Sequence, residues 1–527
     1  MILPFLLSLV ALSPAAFPQD IFGPAKKEQS EADAVPAVIV KSVAVSLDEQ
    51  YSRALIYTSG SRYVLQRTLN EVLVDEIARR KDAGIYIGDI DISKEDIDEQ
   101  IQKRVDLVLN QDPTLDFWEQ VKAQGFTQES FRDEMRRNIQ AQRMFFPADP
   151  SDWPVEQLAE ILGQHWNDFL KEDHQTLLEQ KEKGEVETLD DQMMNQFLMP
   201  PIWMALMKSS QIVNPSDGLP EGVALRVNGR DIATKELREI VEPMVSDVDR
   251  EWAQSFVSNI NLATNDLKAN GNWMSDSDYM QALSAERAEY EGTIIPHEMM
   301  ILQFLGFPSM EIYYQYFRAR HSFINAMPSK DSEEYAAMVE AIIAERGPFY
   351  SADRMQVDVI LLGARSKTTG RFPLKGDPFA GSLERATEVS EILAEEDADW
   401  KEILLDYSDY PETVGGAQSS SLPQPHRGML PVQSRNDLRG FLMENDYTNF
   451  IMGTSMADQM YFSSEIGKVY GPIKNPLGYS FYRINQVTPG SKTIDYAGNE
   501  RDAYIINDDL LTTRFHAYVR ALGAKAK

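Results

Sequence analysis

Apolar residues recur at helical spacing through most of the first third of the chain. Leu65, Leu69, Val72, Leu73 and Ile77 mark one helix. The stretch AGIYIGDIDIS (83–93) interrupts the pattern. Ser93 then opens a second helix, with Ile97 and Ile101 on one face and acids near its start, where the helix dipole favours them. LDFWEQVKAQG (115–125) predicts a short third helix that Gly125 can stop. A fourth follows in TQESFRDEMRRNIQAQRMFF (127–146), with Phe131, Met135 and Ile139 four apart and Pro147 ending it. Before these helices, AVIVKSVAV (37–45) reads as a strand after a flexible leader.

Residues 148–222 stay mainly helical. QMMNQFLMPPIWMALMKSS (192–210) holds five methionines and reads as a core helix broken at Pro200-Pro201, with an adaptable binding surface as the alternative. VALRVNGRDIATKELREIV (223–241) predicts a strand, a turn at Asn228-Gly229, and a capped helix from Thr234.

A repeat lies within the helical part. QGFTQESFRDEMRRNIQAQRM and LGFPSMEIYYQYFRARHSFINAM align with one inserted residue. Gly125-Phe126 pairs with Gly306-Phe307. Thr127, Glu129, Phe131, Met135 and Arg136 pair with Ser309, Glu311, Tyr313, Phe317 and Arg318. The spacing points to a repeated helical module.

From about residue 347 the period changes. MQVDVILLGA (355–364) is a strand. Ala386, Val389, Ile392 and Leu393 mark one helix, and Ile403, Leu404 and Tyr407 another. A Gly/Ser/Pro-rich stretch spans 415–432. EIGKVYGPIKNPLGYSFYRINQV reads as turn, strand, turn, strand. A strand, helices and a two-stranded finish imply a small α+β domain. The tail DDLLTTRFHAYVRALGAKAK (508–527) is an amphipathic, basic helix expected to pack back onto the first module.

Composition narrows the function classes. Lys+Arg is 51 and Asp+Glu 82, a net charge of −31. So acidic a chain repels nucleic acid and anionic lipid. With no cysteine, disulfides, thiolate metal sites and a cysteine nucleophile are excluded. The six histidines show no metal spacing; His165 and His174, for example, are nine apart. No phosphate loop, dinucleotide fingerprint or hydrolase elbow occurs, so no cofactor or metal is expected. The N-terminal Ile2–Leu12 run is apolar, too short to span a bilayer, and followed by small residues at 13–16. It reads as an export signal without a basic start. No later segment is apolar enough to span a membrane.

Two regions resemble known families. VDVILL, RATEVSEIL, DWKEILLDYSD, Gly415-Gly416 and FSSEIGKVYGPIKNPLGYSFYRI together resemble the parvulin rotamase domain over 347–488. LNEVLVDEIARRKDAGIYIGDIDISKEDIDEQI and AQGFTQESFRDEMRRNIQAQRM are similar to the N-terminal domain of SurA-type folding factors. Together they cover under half the chain. The order export signal, helical domain, rotamase-like domain is that of the SurA and PrsA families; the long middle departs from both.

The expected organisation is multidomain: a signal peptide (1–16), a leader (17–50), a SurA-like helical module (51–147), a helical insert (148–222), a second helical module (223–346), a parvulin-like α+β domain (347–490) and a C-terminal helix (491–527). The resemblance implies where catalytic residues would stand. Val359 and Ser480 occupy the positions of the family's two histidines, and Tyr410 that of its acid or thiol. Candidates for a proline or peptide pocket are Tyr407, Tyr410, Phe450, Met452, Met456 and Met460. Rotating a prolyl amide must overcome about 20 kcal/mol, which aimed polar groups in an apolar pocket lower. With all three polar positions changed, the resemblance implies an ATP-independent extracytoplasmic chaperone for unfolded or nascent exported polypeptides, weak or inactive as an isomerase. An active peptidyl-prolyl isomerase with a rebuilt site, and a scaffold for one fixed partner, remain open. So does the oligomeric state.

Overall fold

The four helices that the apolar period predicts between residues 61 and 147 form there. A computed structural model describes residues 45–526, apart from 112, 114–115, 124–125, 164–165, 185–193, 195–197, 291–296, 367–369 and 410–427. The strand expected at 37–45 lies, but for its last residue, outside them. The described residues are mostly helical, with two small antiparallel sheets.

The described residues divide into two units. One holds Arg62–Asn214 and Gly222–Ile240. The other holds 45–61, Pro215–Glu221 and 241–526.

The first unit is built on α2 (Ser61–Asp82, all but its first residue), α3 (Lys94–Gln111), α4 (Phe117–Ala123) and α5 (Gln128–Phe145). Ser93 and Asp96 cap α3 reciprocally: the Ser93 hydroxyl accepts from the Asp96 amide and the Asp96 carboxylate from the Ser93 amide, both at 3.0 Å. Ile97, Ile101, Phe117, Phe131, Met135 and Ile139 form the core these helices share. Further on come α6 (Val155–Leu162), α7 (Lys171–Glu182) and α8 (Met199–Lys208). Pro200-Pro201 lie in the first turn of α8, directly after the π-helical Leu198, and a proline there forfeits no intrahelical bond. Of its side chains, Met199, Ile202, Trp203 and Leu206 are buried and Met204 is exposed. A sheet of β1 (Ile212–Val213), β2 (Val223–Val227) and β3 (Arg230–Ala233) follows, then α9 (Thr234–Val241), as the Asn228-Gly229 turn predicts.

The second unit gathers α1 (Leu47–Ser59), α10 (Asp247–Ala269), α11 (Asp276–Glu289), α12 (Met310–Phe323) and α13 (Glu333–Tyr350). The helices α5 and α12 begin alike. Thr127 caps α5 by accepting from the Ser130 amide at 3.0 Å, and Ser309 caps α12 by accepting from the Ile312 amide at 3.3 Å. Phe126 meets Phe131 edge-on at 5.6 Å, and Phe307 meets Tyr313 edge-on at 5.1 Å. Both are aromatic staples across a helix start; Pro308 is the inserted residue.

The expected α+β domain lies in this unit. β4 (Arg354–Gly363) is followed by α14 (Pro378–Leu393), α15 (Trp400–Tyr407) and β5 (Met429–Gln433). Then come α16 (Arg435–Phe441), α17 (Asp446–Met452), α18 (Met456–Ser463), β6 (Val469–Asn475) and β7 (Gly478–Thr488). The sheet is antiparallel in the order β5-β4-β7-β6. β5 is a fourth strand where the Gly/Ser/Pro-rich composition of 415–432 predicts none, a correction to the three expected strands. It is a five-residue edge strand containing Pro431, and only an edge tolerates the missing amide. The tail helix α19 (Glu500–Ala526) packs on α10, α12 and α13 of the same unit.

Among the described residues, no helix is long and apolar enough to cross a membrane.

Candidate functional site

Alternation along β4 and β7 assigns their side chains to two faces. Ile360, Leu362 and Phe481 face α14 and α15, with Ala386, Val389, Trp400 and Leu404. Val357, Val359, Leu361, Tyr482 and Ile484 face α16 and α18, with Leu438, Met456 and Met460. Leu361 pairs with Ser480 and Val359 with Tyr482 across the two strands, so Val359 and Ser480 share the second face.

That face is closed. Val359 is 2% exposed, Ser480 and Met460 0%, and Met456 1%. Its polar atoms are consumed internally. The Asn475 amide donates to the Ser480 hydroxyl at 2.8 Å, and its nitrogen also lies 3.5 Å from the Met456 sulfur. The Tyr482 hydroxyl pairs with Ser464 at 2.5 Å, and its ring stacks on Tyr470 at 5.2 Å. Burial pushes the Tyr482 phenol up to about 12, so it stays protonated at neutral pH. Among the described residues, the side chains packed on this face are apolar apart from Asn475 and the hydrogen-bonded hydroxyls of Ser480, Tyr482 and Tyr461, with no imidazole or carboxylate among them to polarise an amide.

The turn Tyr407-Ser408-Asp409 is fixed to the edge of β4. The Ser408 hydroxyl accepts from the Leu361 amide at 3.1 Å and lies 3.2 Å from the Val359 carbonyl. The Asp409 amide donates to the Leu361 carbonyl at 2.7 Å. Its carboxylate accepts from the Gly363 amide at 2.8 Å and from Arg385 at 2.5 Å. Gly428 returns the chain to the same place, its carbonyl accepting from the Val359 amide at 2.9 Å. With φ +97° and the Val359 carbonyl 2.1 Å from where a Cβ would sit, only glycine fits. Both ends of the segment 410–427 therefore leave from the middle of β4. Tyr410, Gly415-Gly416 and His426 lie outside the described residues.

The pocket candidates separate. Met456 and Met460 share the closed face with Val359 and Ser480. Tyr407 packs on the opposite face, with the α14–α15 cluster. Phe450 points away from the sheet: it is 4% exposed, stacked on Phe515 at 5.7 Å, and touches Phe256 and Tyr316. Met452, next on α17, is half-buried. α17 thus carries the pocket candidate Phe450 into the helical core of the unit instead. Asn475, Tyr482 and Ser464 were missed in the sequence; the alternation of β7 placed Tyr482 beside Ser480, but nothing local marked Asn475.

The described histidines are structural in their contacts. His174 stacks on Trp153 at 4.9 Å and pairs with the Pro150 carbonyl at 2.8 Å. His297 lies 3.3 Å from the Glu286 carboxylate. His321 stacks on Phe317 at 3.9 Å, and His516 pairs with the Tyr316 hydroxyl at 2.9 Å. His165 lies outside the described residues. Among the described residues no cluster of three acidic or histidine side chains is placed to hold a metal ion.

No family model matches the chain. No curated protein matches it either. Among solved structures it is similar to a peptidylprolyl isomerase, PrsA, from Bacillus cereus, at 13% identity over 56% of this chain and 89% of that one. The TM-score is 0.19, and a likeness of that score establishes neither a shared activity nor a shared arrangement.

Proposed function

We propose that the protein is an exported, ATP-independent chaperone that binds unfolded polypeptides and has no prolyl-isomerase activity of consequence. The observation that carries the second half is the closed sheet face. Val359, Leu361, Met456 and Met460 fill the space where catalysis would need a solvent-accessible pocket with aimed polar groups. The first half rests on the resemblance of 65–146 to SurA-type domains and on the repeated, similarly capped helix starts at Thr127 and Ser309. Export rests on the apolar N-terminal run. Neither nucleic acid nor a metal has a role in this reading.

Two assays test it. Added to several unrelated denatured proteins at near-stoichiometric amounts, the chain should suppress their aggregation without ATP. Protection of a single client only would favour a fixed-partner scaffold. With a short proline peptide, cis–trans exchange should match buffer alone; a rate above it would restore the isomerase.

A further inference from the structure

The tail helix α19 lies in a groove formed by α10, α12, α13 and α17 of its unit. Ile506, Leu510, Phe515 and Val519 are its inward apolar residues, none more than 3% exposed. They span about 20 Å of helix. Phe515 inserts between Phe450, Tyr316 and Phe323, with ring centroids at 5.7, 5.7 and 5.9 Å. Ile506 and Leu510 pack on Tyr335, Val339 and Ile342.

The rest of the contact is polar. Tyr335 donates to Asn507 at 2.8 Å, and Tyr350 and Arg346 both donate to Asp509 at 2.7 Å. Arg320 donates to Thr512 at 3.0 Å and to the Asp508 carboxylate. Tyr518 donates to Asp266 at 2.5 Å, and Arg520 to the Gly453 carbonyl at 3.1 Å. Polar pairs of this kind exchange for water when a seam opens, as at separable interfaces, whereas an apolar seam has no such substitute.

We infer that α19 is a releasable strap over an aromatic groove, and that the vacated groove takes an amphipathic helix of a client polypeptide carrying an aromatic residue between aliphatic ones. The inference rests on the polypeptide-binding reading above and names a site for it. The strap competes in cis with the client, so client affinity is scaled by the fraction of molecules with the groove open. The partner chemistry follows from what α19 presents: aliphatic residues four apart, then an aromatic, then another aliphatic, flanked by hydrogen-bonding side chains.

The probe is a fluorescein-labelled synthetic copy of residues 499–527, titrated into the full chain and followed by anisotropy. Two cysteines are introduced as Leu262→Cys and Gly523→Cys. They are the only thiols in the chain, and a Cβ at 523 would sit 4.0 Å from the Leu262 side chain. A short dithiol-reactive cross-linker then ties the strap down. Cross-linking is expected to weaken peptide binding at least tenfold relative to the same variant left open. Phe515→Ala, which loosens the strap, is expected to tighten it at least tenfold; should that variant not fold, Tyr518→Phe gives the same direction with a smaller change. Equal binding to the tied and open chains, or no tightening on loosening the strap, overturns the inference. Aggregation assays separate the two proposals. A tied chain that protects clients as well as the open one overturns the strap and leaves the chaperone reading standing. Failure of both forms to protect any client removes the chaperone reading.

Discussion

Placing histidines at Val359 and Ser480, where the rotamase resemblance would put them, should not create an enzyme. In the double variant Val359→His/Ser480→His, two imidazoles enter a face on which Val359 is 2% and Ser480 0% exposed. The first substitution removes a buried aliphatic side chain, worth about 1.5–3 kcal/mol. It also adds a larger ring to a packed interior, at about 1–3 kcal/mol. Leu361, Met456, Met460 and Tyr482 offer the new ring no carboxylate, so a buried imidazole nitrogen left without a partner costs about 1–3 kcal/mol more. The second substitution breaks the 2.8 Å bond from Asn475 to the Ser480 hydroxyl. These contributions are not additive, and relaxation lowers the sum. A loss of about 3–6 kcal/mol is expected, a large share of the stability of an ordinary domain. Urea unfolding followed by tryptophan fluorescence measures it, and Trp400, packed beneath the opposite face, reports locally. Proline-peptide exchange measured on the same preparation should stay at the buffer rate. A double variant that keeps its stability to within about 1 kcal/mol and accelerates exchange would refute the closed-face reasoning, because it would mean the face holds an open pocket.

Other outcomes follow from particular contacts. Asp409→Ala removes a buried carboxylate that holds the Gly363 amide and Arg385, and is expected to cost about 1–3 kcal/mol by urea unfolding. Arg385→Ala, on a half-exposed partner, should cost less. Thr127→Ala and Ser309→Ala should each cost about 1 kcal/mol, in different units, as equivalent caps of a repeated helix start; a loss at only one would argue against the equivalence. Burial, reinforced by Arg520, Arg320 and Arg439 against Asp446, holds the His516 imidazole down at about 4. A depressed imidazole binds fewer protons folded than unfolded. Its contribution is therefore present above about pH 6.5 and is lost as pH falls from there toward 4. Buried Glu311, Glu444 and Asp509, whose carboxyls burial pushes up, act in the opposite sense, each adding stability as pH falls. The difference between wild type and His516→Gln isolates the histidine, and thermal unfolding between pH 7 and 4.5 should show the variant losing less than wild type.

Local sequence determined most of the secondary structure and the two helix starts that repeat. Thr127 and Ser309 cap, and Phe126 and Phe307 staple, because these are interactions between residues a few positions apart. The same holds for the hairpin at Asn228-Gly229 and for the strands β4 and β7 themselves, whose pairing brings Val359 and Ser480 onto one face. Tertiary structure decided what those positions became. That Val359 and Ser480 face a filled interior depends on α16 and α18, which come from a different stretch of chain and contribute Leu438, Met456 and Met460. The sequence offered Phe450 and Met460 as walls of one pocket, ten residues apart. The fold sends Phe450 into an aromatic core with Phe515, sixty-five residues further on, and Met460 under the sheet. β5 was illegible for a related reason: a short edge strand with a proline owes its conformation to pairing with β4 rather than to its own residues. Periodicity records which residues are buried. Which partner buries them is set by long-range packing, and in this protein the candidate site depends on that choice of partner.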